Sequence, residues 1–316
     1  MKKICAVGVV VLLAIVSFES PAQVFCWNTE NYFDWKDDPL TLDEPFTPSG
    51  DYHWTRKKFY AKRNAVAKTI IASAGEFGGR MPAVVGLCEV ENRRVLLGLL
   101  NETALAKCNY GFLHRESPDP RGIDVALLYS KERCTLLESE FLRVEKFATR
   151  DIVYSKLCCD GDTLFVFLNH WPSKYSGAKV SDPKRAAVEQ ILEHKADSVL
   201  AACPGARIVM MGDFNDTPEA DVCRRLCSRC GLVNLSEALP GGTIRYNGRW
   251  EMIDQMIVSP ALAAEGPCAE VFKPPFLLEP DTKFLGVKPR RTNIGPRYNG
   301  GVSDHLPVLL HLQGKR

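Results

Sequence analysis

The sequence predicts an α/β chain in which β-sheets pack face to face and helices cover the outside. Three observations predict it. Apolar runs of strand length recur from one end of the chain to the other, longer helical patterns fall between pairs of them, and several runs stop at a short polar signature. The 316 residues are 46% hydrophobic and 25% charged, an ordinary globular composition that can bury a large core. A single domain over residues 23–316 is expected, because the signatures are spread end to end and a shared site needs all the intervening strands in one body.

Residues 1–22 are set apart from that domain. Lys2 and Lys3 precede an apolar run over 4–18, followed by Ser20-Pro21-Ala22, the pattern of a cleaved export signal. The run is shorter than the roughly 20 residues a helix needs to cross a bilayer. The mature protein is therefore expected in the periplasm or outside the cell, without stable membrane insertion. Export permits disulfides, and the chain has 12 cysteines. Cys5 falls in the signal, so an odd number remains. Cys223, Cys227 and Cys230 lack a fourth zinc ligand in pattern and share a helical stretch, which favours packing or a disulfide over a metal. The formal net charge of +2 excludes a strong global pull toward nucleic acid, and the clusters Arg56-Lys57-Lys58, Lys62-Arg63 and Arg290-Arg291 read as solvated faces.

Taken in order, strands are expected at residues 24–27, 83–88, 125–129, 164–168, 207–211, 253–258 and 306–312. Helices are expected at 55–74, 93–107, 183–201 and 218–230; Asn92 is placed to cap the second, and Thr217 with Pro218 to start the fourth. The stretch 260–301 is rich in Pro and Gly and poor in strand pattern, and reads as a functional loop because core sequence resumes at Leu306.

The strand ends carry the chemistry. Glu89, Asn28 and Asp304 each stand beside an apolar run, where an oxygen can point into a cleft and hold a hard cation such as magnesium. Glu91 alternates away from Glu89 and reads as a helix-start charge. Asp213 and Asn215 lie two apart on an extended segment and face the same way, suited to orienting and deprotonating a water. His305 can donate to a phosphate oxygen as negative charge builds, with Asp254 fixing its tautomer, and His170, after Asn169, can act on a leaving oxygen. His53, His114, His194 and His311 have no such context and read as structural.

These residues resemble the endonuclease/exonuclease/phosphatase (DNase I-like) superfamily over nearly the whole mature chain. The likeness runs through Trp27-Asn28-Thr29-Glu30-Asn31, Leu87-Cys88-Glu89-Val90-Glu91-Asn92, the phrase from Arg121 to Tyr129, Asn169-His170-Trp171-Pro172-Ser173, Gly212-Asp213-Phe214-Asn215, Ile253-Asp254 and Ser303-Asp304-His305. It implies a four-layer αββα sandwich of two mostly antiparallel sheets flanked by helices. It further implies Asn28, Glu30, Glu89 and Asp304 around Mg²⁺ or Mn²⁺; Asp213 and Asn215 at the water or phosphate; His305 paired with Asp254; His170 opposite; and Arg121 and Asn169 as substrate contacts. Exported bacterial nucleases are the most similar in look, so hydrolysis of nucleic acid diesters by a monomer is the implied activity. A phosphatase or phospholipase C-type enzyme acting on inositol phosphate, a nucleotide monoester or sphingomyelin is the alternative. A non-catalytic binding module is disfavoured because every expected position is filled.

Overall fold

The computed structural model describes residues 22–174 and 177–313, so the export signal expected over 1–22 lies outside the described residues but for Ala22. Among the described residues, no helix is long and apolar enough to cross a membrane.

Two six-stranded sheets form the centre. The first contains β1 (Gln23–Tyr32), β2 (Val84–Val90), β3 (Tyr110–Leu113), β4 (Asp124–Ser130) and the later strands Cys268–Val271 and Val308–His311. Its spatial order is Cys268–Val271, Val308–His311, β1, β2, β4, β3. The second contains β5 (Cys134–Leu142), β6 (Ile152–Cys159), β7 (Asp162–His170), β8 (Arg207–Asp213), the strand Asp254–Val258 and β9 (Val233–Asn234), with Asp254–Val258 lying between β8 and β9. Each sheet has one parallel pair, β1 with β2 and β7 with β8, among antiparallel neighbours. Parallel neighbours need a long crossover. Helix α1 (Arg56–Ala72) lies in the first connection and α3 (Ala178–Ala202) in the second, while α2 (Arg93–Asn101) and α4 (Asp221–Cys230) follow β2 and β8.

Alternation along β1 divides the core into layers. Val24 and Cys26 point between the sheets, against Leu168, Val209 and Met211 among others, whereas Phe25 and Trp27 point outward into the cluster that holds Phe59, Val66 and Ile70 of α1. The outer face of the second sheet packs Phe167, Ile208 and Met210 against Val188 and Leu192 of α3 and Leu226 of α4. Helix, sheet, sheet and helix make four layers, and the inner strands read as unbroken apolar runs because both their faces are covered. At the sandwich centre Gly86 lets the sheets close tightly: a Cβ there would lie 2.7 Å from Leu168 Cδ1 and 2.8 Å from Met211 Cε, so both side chains would have to shift.

Several local expectations need correction. The polar edge strand β5 and its partner β6 were not expected; β5 has little periodicity because most of its side chains are exposed. Helix α3 begins at Ala178, ahead of Pro183, which sits near its N-terminal end. Helix α4 begins three residues later than expected, with Ala220 rather than Thr217 as N-cap, because Thr217 closes a turn by accepting from the Ala220 N–H. Asn92 does cap α2, accepting from the backbone of Arg94 and Val95. The 260–301 stretch folds into a short helix, a sheet strand and two small hairpins, Leu278–Pro280 with Val287–Pro289 and Asn293–Ile294 with Arg297–Tyr298. Cys134 and Cys159, register partners on β5 and β6, form a disulfide; Cys223, Cys227 and Cys230 are free and packed on α4. Lys62 and Arg63 are buried, not solvated.

Candidate active site

The signatures meet at one edge of the sandwich because their strands run to that edge. Asn28 lies in the last half of β1, Glu89 near the end of β2, and His170 and Asp213 end β7 and β8 as register partners. The strand Asp254–Val258 is antiparallel to β8, which sets Asp254 opposite Asp213. The last strand is antiparallel to β1, so residues 303–305 arrive at the same edge, where Trp27 Nε1 donates to the His305 carbonyl at 2.9 Å.

The backbone is unusual where these side chains project. Glu30, Asn31, Glu89 and Asn215 have φ of 51°, 54°, 62° and 48°, and the β1–β2 register shifts between Asn28 and Tyr32. Non-glycine residues hold such angles only where the surroundings impose them. Here Asn28 Oδ1 accepts from the Glu30 N–H at 2.9 Å, Glu89 Oε2 from Asn31 at 2.7 Å, and Asp213 Oδ1 from Asn215 at 2.8 Å.

Asp213 is the hub. Its Oδ2 lies 2.9 Å from Asn28 Nδ2, 3.4 Å from His170 Nε2 and 3.9 Å from His305 Nε2. Burial pushes its pKa up to about 7, and Asp254 adds to that, while His305 and the bonds from Asn28 and Asn215 pull the other way. The two histidines diverge. Burial disfavours charge on His305, but Asp254, whose Oδ2 is 2.7 Å from Nδ1, together with Asp213 and Asp304 outweighs it and holds the pKa well above the ordinary value. Burial, followed by the charges of Arg150, Arg121 and His305, drives the pKa of His170 well below its ordinary value. The surroundings of the first imidazole favour its charged form and those of the second its neutral form.

Hard oxygens line the adjoining space. Glu89 Oε1 is 3.9 Å from His170 Nε2, and Asp304 Oδ1 is 3.8 Å from His305 Nε2. Their other oxygens are engaged, Glu89 Oε2 by Asn31 and Asp304 Oδ2 by Arg291. One oxygen on each carboxylate is thus left beside a histidine without a hydrogen bond, and such hard oxygens suit a divalent cation. Glu30 stands behind them: Thr292 N–H and Arg291 Nε occupy its two oxygens at 2.6 and 3.3 Å. Its burial and the nearby Asp304 push its pKa up to about 7 against the pull of Lys62 and Arg291. Asp213, Asp254 and His305 also place three ligand atoms within 4.8 Å of one another. A protonated imidazole is no ligand, so this triad suits a proton network better than an ion.

A family profile described as "Endonuclease/Exonuclease/phosphatase family" matches residues 23–314. The chain belongs to that family. No curated protein matches its sequence. Solved structures similar to this endonuclease/exonuclease/phosphatase chain include the mannosyl-6-phosphatase of Bacteroides thetaiotaomicron VPI-5482, with TM-score 0.59 and 14% identity over 93% of this chain and 100% of that one. Truncated Caenorhabditis elegans TDP2 gives 0.58 and 17% over 93% and 97%, and the human Nocturnin catalytic domain, solved with a bound sulfate anion, gives 0.57 and 15% over 92% and 93%. At these identities the likeness shows the fold, the four-layer α/β sandwich of a superfamily of phosphate-ester hydrolases.

Within the family site, the remaining expected residues fall nearby. Asn169 donates from Nδ2 to the Met211 carbonyl at 2.8 Å, and its buried Oδ1 has no protein partner. Asn215 Nδ2 is committed to the Trp171 carbonyl at 2.9 Å. Arg121, half-exposed, lies 3.6 Å from Asp119. Glu91 is not a helix-start charge: it is buried, accepting from the Asp34 N–H at 2.5 Å, and burial pushes its pKa up to about 8. Three supporting residues escaped the sequence reading. Ser303 Oγ donates to the Asn28 carbonyl at 2.7 Å and accepts from the His305 N–H. Buried Arg150 spans Asp119 and the Trp171 carbonyl, and buried Lys62 donates to the Glu30 and Val302 carbonyls and to Thr292. Ser303 lay within a recognised phrase; a lysine inside a helix and an arginine before a strand carry no pattern that marks them.

Proposed function

We propose that the protein is an exported phosphodiesterase that cleaves nucleic acid with a bound divalent cation, magnesium or manganese. The observation that carries this is the single carboxylate oxygen of Asp213 lying between two imidazoles, 3.4 Å from His170 Nε2 and 3.9 Å from His305 Nε2, whose surroundings favour opposite charge states. Glu89 and Asp304 would hold the ion, with Asn28 and Glu30 beside them, and a bound cation there supplies positive charge to phosphoryl and leaving oxygens.

Asp213 accepts the proton of water as the water oxygen bonds to phosphorus and the ester oxygen departs. A carboxylate held near neutral pKa is suited to that task at neutral pH. His305, fixed at Nδ1 by Asp254, presents its Nε2 proton to a phosphoryl oxygen as charge grows in the transition state. His170, favoured in its neutral form and 3.4 Å from Asp213, stabilises the departing oxygen by a hydrogen bond instead of giving up a proton. Asn215 holds the turn that carries Asp213.

A nucleic acid substrate is supported by the surroundings of Arg121. Four arginines there share two aspartates: Arg121 and Arg150 on Asp119, Arg115 and Arg143 on Asp151. Buried Arg150 is committed, but the half-exposed Arg115, Arg121 and Arg143 can receive phosphates flanking the scissile one, while the nearly neutral whole molecule lets product leave. The basic, apolar start of the sequence and the Cys134–Cys159 disulfide support an oxidising location outside the cytoplasm.

The test is incubation of purified protein with supercoiled DNA, RNA, bis-p-nitrophenyl phosphate and a panel of phosphomonoesters including mannose 6-phosphate, in Mg²⁺, Mn²⁺ or EDTA. Diester cleavage that EDTA stops and metal restores is expected. Preference for monoesters would replace the nuclease reading by a phosphatase one, the activity named for the Bacteroides neighbour. Full activity in EDTA would refute the metal.

A further inference from the structure

Arg291 belongs to the 260–301 stretch, and its position gives that stretch a task. Its guanidinium reaches across two carboxylates from different elements, with Nε 3.3 Å from Glu30 Oε1 and Nη2 2.5 Å from Asp304 Oδ2. The side chain is 46% exposed, yet its backbone is fixed: Asn299 Nδ2 donates to the Arg291 carbonyl, Asn299 N–H to Thr292, and Val302 N–H to Arg290. Thr292, the next residue, holds Glu30 through its N–H and takes the Lys62 ammonium on its hydroxyl. The stretch therefore delivers a half-exposed cationic tip from a fixed backbone to the acids that flank the proposed ion.

We propose that Arg291 is a resident counter-cation that competes with the divalent ion for the Glu30–Asp304 acids and is released from Asp304 when the ion binds. This rests on the metal reading above. Glu30 and Asp304 repel one another, and Lys62, buried and tied by three hydrogen bonds, cannot move to balance them as occupancy changes. Arg291, half in solvent and held at its tip by its ion pairs with Glu30 and Asp304 alone, can. Arginine suits the role because its planar fork spans two carboxylates where an ammonium would meet one. The release leaves a free guanidinium at the rim of the site, where it meets the charge of an incoming phosphate.

The experiment is a Mn²⁺ titration of the full chain followed by electron paramagnetic resonance and calorimetry, for wild type, Arg291→Gln and Arg291→Lys, with melting curves in EDTA. Removal of the competitor is expected to tighten Mn²⁺ binding about fivefold in Arg291→Gln, the scale of a partly exposed ion pair. Arg291→Lys should fall between, and the metal-free Arg291→Gln protein should melt lower and recover when Mn²⁺ is added. Equal or weaker Mn²⁺ affinity in Arg291→Gln, in a protein whose circular dichroism matches wild type, overturns the competition while leaving the metal site standing. Absence of Mn²⁺ binding by wild type and variants alike overturns both. If Arg291→Gln does not fold, the comparison of Arg291→Lys with wild type decides by the same criterion.

Discussion

Replacing Asp254 by Asn removes the charge that keeps His305 protonated while preserving the side chain's size. Both groups are buried, and their contact is 2.7 Å. A hydrogen bond between ionised partners contributes about 1.5–3 kcal/mol net. Its loss lowers the His305 pKa. Burial, which already works against the charge, is then opposed only by Asp213 and Asp304. The variant is expected to weaken the charged donor to the phosphoryl oxygen and so lower kcat, by up to about 10²–10³ by analogy with removal of a single oxyanion donor. Histidine resonances followed by NMR against pH give the shift, and hydrolysis of bis-p-nitrophenyl phosphate gives the rate. An unchanged His305 titration, or a rate within twofold of wild type, would show that Asp254 does not hold the proton and would sink the assignment of His305 as the charged imidazole.

Further expectations concern the hub, the sandwich and a buried acid. Asp213→Asn should abolish hydrolysis with an unaltered circular dichroism spectrum; near-normal turnover would remove Asp213 from the water-activating role. Gly86→Ala forces a Cβ to within 2.8 Å of side chains from the facing sheet and should cost about 1–3 kcal/mol in urea unfolding, with no cost meaning that the sheets part easily there. Cys134→Ser should lower stability by about 2–4 kcal/mol, since the cysteines are 25 apart in sequence, and an unchanged melting temperature under oxidising conditions would count against the bond. Asp124 is pushed up to about 7, chiefly by burial. An acid raised in the folded state gives stability present below its unfolded pKa and lost as pH rises through the folded one. Asp124→Asn should therefore gain on wild type between about pH 4 and pH 7, by at most about 1.4 kcal/mol per pH unit. Parallel pH–stability curves for the two proteins would contradict this.

Much of this was legible beforehand, for reasons visible in particular residues. The inner strands β1, β2, β7 and β8 have both faces covered and so appear as plain apolar runs that stop where the site begins. β5 escaped because an exposed edge strand such as Cys134–Leu142 carries mostly polar side chains. The Asp254–His305 pairing was inferable from residue types at strand ends, whereas the approach of His170 to Asp213 follows from the β7–β8 register. Lys62 and Arg291 were not, because whether a lysine or arginine is solvated depends on what folds over it. Here that is a segment more than 200 residues away in the chain, and no local pattern records it. The identity of the acid pairs was local; the neutralisation of those acids was tertiary.

The left-handed turns at Glu30, Asn31, Glu89 and Asn215 carry a consequence for evolution and engineering. Each is a spot where a glycine would relax the chain, and each sits under or beside a reacting group. A selection for thermal robustness alone should drift toward glycine there and lose turnover as it does, so hardiness and catalytic speed pull against each other at these four points. Stabilising designs on this scaffold belong elsewhere, on the helices and the far edge of the sandwich.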